Sequence, residues 1–183
     1  MKILSRILVF VVALGVSAPM LLAQNKYVGV KQCSMCHKTE KQGKQFDIWS
    51  KSQHAKAYQV LTSDKANELA KSKGIKTAAV EAKECLECHT LGKTVDAKMF
   101  DKNFDIKDGV QCETCHGAGS AYKSMSTMKD QAKAVAAGLN IYKDEKEIEA
   151  LCKTCHNEKS PTFKGFDFKE MYAKIAHPIP KAG

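Results

Sequence analysis

Residues 109–119 read Gly109-Val110-Gln111-Cys112-Glu113-Thr114-Cys115-His116-Gly117-Ala118-Gly119, and the five residues from Cys112 to His116 decide how the rest of the chain is read. The same Cys-x-x-Cys-His pattern recurs at Cys33-Ser-Met-Cys36-His37, Cys85-Leu-Glu-Cys88-His89 and Cys152-Lys-Thr-Cys155-His156, and together the four sites consume all 8 cysteines. At this content of cysteine and histidine, chance would supply roughly 0.01 such motifs. The spacing has a chemical reason. Two thiols three positions apart on a turn or short helix reach the two vinyl groups on one edge of a porphyrin. The histidine that follows then lies under the iron as its proximal ligand. Structural zinc needs no histidine after every second cysteine, a disulfide framework needs none either, and a thioredoxin-like redox motif would occur once. The repeat therefore implies four covalently attached haem c groups, with Cys33, Cys36, Cys85, Cys88, Cys112, Cys115, Cys152 and Cys155 as attachment points. His37, His89, His116 and His156 are the expected proximal iron ligands.

The chain outside these motifs fits that reading. It has 183 residues. Lys2 and Arg6 precede an apolar run from Ile7 to Val16, with Ser17 and Pro19 ahead of Leu-Leu-Ala-Gln. This is the pattern of an export signal cleaved after Ala23. The segment from Ile7 to Ala23 contains a proline and is short for a membrane span, so no stable span is expected after cleavage. Residues 1–23 are read as the signal peptide and 24–183 as one domain in the periplasm or otherwise exported. The 160 residues left are rich in Lys, Ala, Ser and Gly and poor in aromatics, and such a chain buries only a modest apolar core. With about one haem per 40 residues, the haems themselves would form much of the interior. First cysteines are separated by 52, 27 and 40 residues, so the second and third sites are expected to be neighbours in space.

The periodicity predicts a helix over Trp49 to Leu61 and another capped by Asp64 and ended by Gly74. Further helices are expected over Thr77 to Cys88, Asp144 to His156 and Asp167 to Ala176. Asp101 to Gly109 reads as a polar turn. No alternating segment of useful length is present. The expected fold is mainly α and loop-rich, a multihaem cytochrome c with a core built around four covalently bound haems.

A low-spin iron needs a second axial ligand, and four bis-histidine sites would require eight histidines where the chain has 6. His54 and His177 remain after the proximal four. Each is either a distal ligand or an ordinary packing residue, and four neighbouring haems favour the ligand. Met125 and Met128 follow the third motif, with Lys123 nearby. They are either thioether ligands or packing against porphyrin. One or two haems should be five-coordinate or water-ligated.

Tyr-Val-Gly at 27–29, Trp49 with His54 in Ser-Gln-His-Ala-Lys-Ala, Lys-Glu-Cys-Leu-Glu-Cys-His at 83–89, the 109–119 segment, and a Phe-rich stretch ending in His177 occur in this order. In that order the chain resembles the tetrahaem cytochrome c-554 family over most of residues 27–177. The resemblance implies a mainly helical fold with haems in stacked and perpendicular pairs. It implies that the His89 haem lacks a distal ligand, that His54 pairs with His156, and that His177 pairs with His116. The family places a distal histidine for its first haem shortly after the third motif. Here that stretch is Tyr122-Lys123-Ser124-Met125-Ser126-Thr127-Met128, which leaves the His37 haem with a methionine, a lysine or nothing.

Formal charge is +9, or +7 without Lys2 and Arg6. Four haems add about eight propionates, bringing the holoprotein to about +3 oxidised and −1 reduced. Dispersed lysines suit docking to an acidic redox partner, and no basic cluster interleaved with aromatics suggests nucleic acid. The expected role is a relay of single electrons between redox proteins. Alternatives are a haem enzyme that reduces a small gaseous ligand such as nitric oxide at an open iron, and a subunit of an extracellular cytochrome filament.

Overall fold

The computed structural model describes residues 24–91 and 95–179, so the expected signal peptide lies outside the described residues. Ten short α-helices follow one another among these residues: α1 (Val30–His37), α2 (Gln45–Lys51), α3 (Ala57–Val60), α4 (Asp64–Ser72), α5 (Lys83–His89), α6 (Cys112–His116), α7 (Met125–Met128), α8 (Gln131–Ala136), α9 (Glu145–Lys153) and α10 (Phe168–Ala173). No β-strand occurs among the described residues. One parallel bridge joins Tyr27 to Phe100. No described helix is long and apolar enough to cross a membrane.

Side-chain caps fix several helix starts. Asp144 Oδ1 accepts from the N–H groups of Lys146 and Glu147, both at 3.0 Å. Asp167 accepts from Glu170 N at 2.9 Å. At α4 the cap is Ser63 rather than Asp64, its hydroxyl accepting from Ala66 N at 3.2 Å. The expected helix from Trp49 to Leu61 is broken. Ser52 is extended (φ −78°, ψ 165°), and a 3-10 turn at His54–Lys56 precedes α3. The break turns the His54 carbonyl outward, where it accepts from Val110 N at 3.0 Å. The helix expected from Thr77 is confined to α5, because residues 77–82 form turns. At the other end, α10 stops at Ala173 rather than Ala176.

Helices of four to nine residues do not persist on intrinsic propensity and must pack on something. The protein part offers little. Leu61, Ala70 and Ala79 form a small cluster with Ala66, Ile75, Val80, Cys85 and Leu86, which seats α4 on the helix of the second motif. Meanwhile Met35 (64%), Val60 (52%) and Met125 (65%) keep large exposed fractions.

Two buried polar side chains, Gln111 and Glu113, clamp the N-terminal segment to the third motif. Glu113, 2% exposed, accepts N–H bonds from Val28 and Gly29 at 2.8 Å and from Gly119 at 2.7 Å. Gln111 accepts from Val30 N at 2.8 Å and donates to the Asp105 carbonyl at 2.7 Å. Gly29 is needed here. Its φ of 84° is left-handed, and a Cβ would sit 2.9 Å from the Asn103 carbonyl oxygen. Burial pushes the Glu113 carboxyl pKa up while its backbone N–H bonds pull it back down. Glu113→Gln keeps one acceptor oxygen but turns an NH2 group toward a buried N–H. A lost buried bond costs about 1–3 kcal/mol, so thermal unfolding of the holoprotein should shift down by on the order of 5 °C. An unchanged midpoint would show that the clamp does not hold the N-terminal segment.

Candidate functional site

Each motif occupies one helical turn. The first, second and third lie within α1, α5 and α6. The fourth begins at the end of α9, where the N–H groups of Cys155 and His156 bond to the Cys152 carbonyl at 3.2 and 2.9 Å. On such a turn, residues i, i+3 and i+4 share a face, so both thiols and the imidazole of each motif project together.

The proximal rings are oriented through Nδ1. His89 Nδ1 lies 2.7 Å from the Ala57 carbonyl, and His116 Nδ1 lies 3.2 Å from the Asn140 carbonyl. A carbonyl only accepts, so Nδ1 carries the proton and Nε2 keeps a free lone pair, the arrangement a metal-binding histidine needs. His37 Nδ1 faces Gln45 Oε1 at 3.4 Å, while Gln45 Nε2 donates to the Pro178 carbonyl at 3.0 Å. Gln45 thereby ties the first motif to the segment that carries His177. Its role had no signal in the sequence, since a lone glutamine in a polar loop has no distinguishing neighbours.

Two further histidines come to face proximal ones. The ring centres of His54 and His156 are 6.1 Å apart, and those of His116 and His177 are 6.0 Å apart. An atom ligated on both sides by imidazole separates the ring centres by about 6 Å, from a metal–nitrogen bond of about 2 Å and about 1 Å from nitrogen to ring centre on each side. The rings are tilted by 51° and 46°, which rotation about the metal axis allows. His37 and His89 have no histidine ring across from them in this way. Burial lowers the pKa of His54, His116 and His156, holding the neutral form that ligates. Phe166 stacks on His156 at 4.8 Å, so it belongs to the fourth site rather than to the face leading to His177.

His54 is held by the segment that precedes the third motif. Trp49 Nε1 donates to the Val110 carbonyl at 2.7 Å. A Cβ on Gly109 (φ 73°) would lie 2.5 Å from the His54 carbonyl oxygen, so only glycine permits the approach. The Trp49–His54 and Gly109–Val110 stretches, far apart in sequence, are thus one structural unit. Tyr122, 7% exposed, donates to the Gly117 carbonyl at 2.7 Å. Met125, in α7, is 65% exposed, and Met128 is half-buried.

The thiols of different motifs come near one another, Cys33 to Cys112, Cys115 to Cys152 and Cys155, and Cys88 to Cys155. The second and third motifs, adjacent in sequence, share no thiol contact among these, because α6 is pulled instead onto α1 by the Glu113 clamp. Burial raises the Cys88 thiol to about 12 and Cys115 to about 11. The turn geometry, free Nε2 atoms and facing imidazoles fit haem c.

Comparison with known proteins agrees. Residues 32–117 match the family described as cytochrome c554 and c-prime. That match covers just under half of the chain. The chain is 27% identical over 159 residues to cytochrome c-554 of Nitrosomonas europaea, a match that covers 81% of this chain and 66% of that protein. The chain thus spans just under two thirds of that relative's length. No solved structure matches.

Proposed function

We propose that this chain is a member of the cytochrome c-554 family, an exported tetrahaem c-type cytochrome that relays single electrons between redox proteins. The observation that carries the reading is the pair of facing imidazoles, His54 with His156 and His116 with His177, each about one ligated atom apart. A bis-histidine haem iron changes oxidation state without losing a ligand, which suits electron carriage.

In this reading Cys33 and Cys36, Cys85 and Cys88, Cys112 and Cys115, and Cys152 and Cys155 hold the four groups. His37, His89, His116 and His156 are the proximal ligands, and His54 and His177 the distal ones for the fourth and third motifs. The carbonyls of Ala57 and Asn140 and the side chain of Gln45 fix ring tautomer and orientation. Clamping by Glu113 and Gln111 brings the first motif against the third.

The His89 site has no facing histidine, which supports a second reading in which an open iron there takes a small gaseous ligand. Met125 or Met128 would complete the His37 site. The carrier reading is tested by anaerobic reductive titration of the purified holoprotein. It should take up about four electrons, one per motif, and release them to an added oxidant without losing absorbance. Uptake of fewer than two electrons, or irreversible bleaching, would contradict it.

A further inference from the structure

We propose that Gln45 is a positioning residue shared by two sites, and that through it the ligation of His177 tunes the reduction potential of the His37 site. The proposal rests on the electron-relay reading and adds a regulatory link between two of its sites.

A line of hydrogen-bonding groups joins the two histidines. His177 Nδ1 faces the Pro178 carbonyl at 3.5 Å, Gln45 Nε2 donates to that carbonyl at 3.0 Å, and Gln45 Oε1 faces His37 Nδ1 at 3.4 Å. The polarity of the line is fixed at its centre. A carbonyl only accepts, so the Gln45 amide turns its NH2 group to Pro178 and its oxygen to His37. That oxygen needs a proton on Nδ1 of His37, which leaves Nε2 with the lone pair a metal takes. A carbonyl oxygen has two lone pairs, so Pro178 serves His177 and Gln45 together. His89 and His116 differ, because the backbone carbonyls of Ala57 and Asn140 meet them with no side chain between.

The loop that delivers Gln45 is shaped for this position. Gly43 and Lys44 are both left-handed, at φ 89° and 52°, and Lys44 is the one non-glycine residue with positive φ among the described residues. Such a conformation is unfavourable for lysine and persists where the surrounding contacts impose it. A Cβ on Gly43 would lie 3.1 Å from Pro178 Cβ and 3.2 Å from both the Pro178 oxygen and Gln45 Nε2. Glycine there lets the chain pass close to the bridge. Beyond the loop, α2 packs on α1, and α1 packs on α6, which carries His116. The first and third motifs are therefore neighbours, and the Gln45 line is a second connection between them. Donation at Nε2 draws electron density onto Oε1. A stronger acceptor at Nδ1 makes an imidazole a better donor at Nε2, which favours the oxidised metal. While His177 is ligated, Pro178 stays beside Gln45 and the amide keeps its place. When His177 lets go, the central bond loosens and the His37 ring loses its acceptor. Coupling of this kind is reciprocal, so a change at Gln45 also acts on His177.

The test compares wild-type holoprotein with Gln45→Glu and Gln45→Leu by redox potentiometry and by cyanide binding. Haem absorbance checks that each variant is loaded. A carboxylate accepts from Nδ1–H more strongly than an amide, leucine does not accept at all, and neither donates to Pro178. One potential should fall in Gln45→Glu, by at least about tenfold in the reduction equilibrium, or about 59 mV. The same potential should rise in Gln45→Leu. On the oxidised protein, the slow cyanide phase that His177→Ala makes fast should speed up at least about threefold in both variants. A merely structural role would move the potential the same way in both. Shifts in one direction, or no shift, would overturn the proposal, and so would opposite shifts without the faster cyanide phase. Wild-type protein that shows no reversible potential would sink the relay reading itself.

Discussion

Replacement of His54 by Ala is expected to convert one low-spin iron per molecule to high spin, and replacement of His177 to do the same for a second. Each ring faces a proximal imidazole, His156 at 6.1 Å and His116 at 6.0 Å between ring centres. Neither partner has another histidine to replace the lost one. Electron paramagnetic resonance of the oxidised protein reads the outcome directly, as a gain of about one high-spin haem in each variant and two in the double variant. The structural consequence differs between the sites. His54 sits in a turn held to Val110 and Trp49, so its loss leaves that unit's backbone bonds in place. His177 lies beyond α10, and its segment is held otherwise through Gln45 to the Pro178 carbonyl. The His177 variant should therefore show the greater susceptibility to limited proteolysis after residue 165. Spin counts identical to wild type in both variants would make these histidines packing residues.

The second large effect concerns carbon monoxide. An iron without an internal distal ligand binds it quickly once reduced, because nothing must leave first. An iron held between two imidazoles does so slowly or not at all. If His54 and His177 serve the fourth and third motifs as proposed, the His89 site is open and the His37 site has a methionine, Lys123 or nothing. The fully reduced wild-type protein is expected to bind about one equivalent rapidly, rising to about two in whichever of Met125→Ala and Met128→Ala removes a ligand. Two equivalents in wild type would mean that neither methionine ligates. The absence of any fast phase would show all four irons capped and would remove the basis for small-ligand chemistry.

The helical turns that carry the four motifs were legible in the sequence because a thiol pair followed by histidine is a local constraint. All its atoms lie on one helical turn, and folding elsewhere cannot move them apart. Several caps were legible for the same reason. Asp144 and Asp167 act within three residues of themselves. What periodicity missed were the places where a distant segment overrides local preference. Trp49 to Leu61 has a helical pattern, yet the His54 carbonyl is claimed by Val110, and Gly109 approaches so closely that the helix must open. Neighbourhood of the motifs failed in a similar way. The short 27-residue interval between the second and third first-cysteines suggested contact, but a single buried carboxylate, Glu113, binds three backbone N–H groups and draws the third motif to the first. A glutamate between two cysteines reads as a solvated charge until its burial is known. Gln45, which orients His37 and reaches Pro178, is similarly invisible without the fold.

The central claim is that all four motifs carry covalent haem, and denaturing mass spectrometry of the purified protein tests it most directly. Denaturation strips a group held by ligation alone and leaves one held by thioether bonds. The account predicts a chain heavier than its own polypeptide by four haem masses, about 2.5 kDa in total. Tryptic peptides spanning Cys33–His37, Cys85–His89, Cys112–His116 and Cys152–His156 should each carry one. A mass equal to the bare polypeptide, or cysteines recovered as free thiols or as zinc ligands, would contradict it.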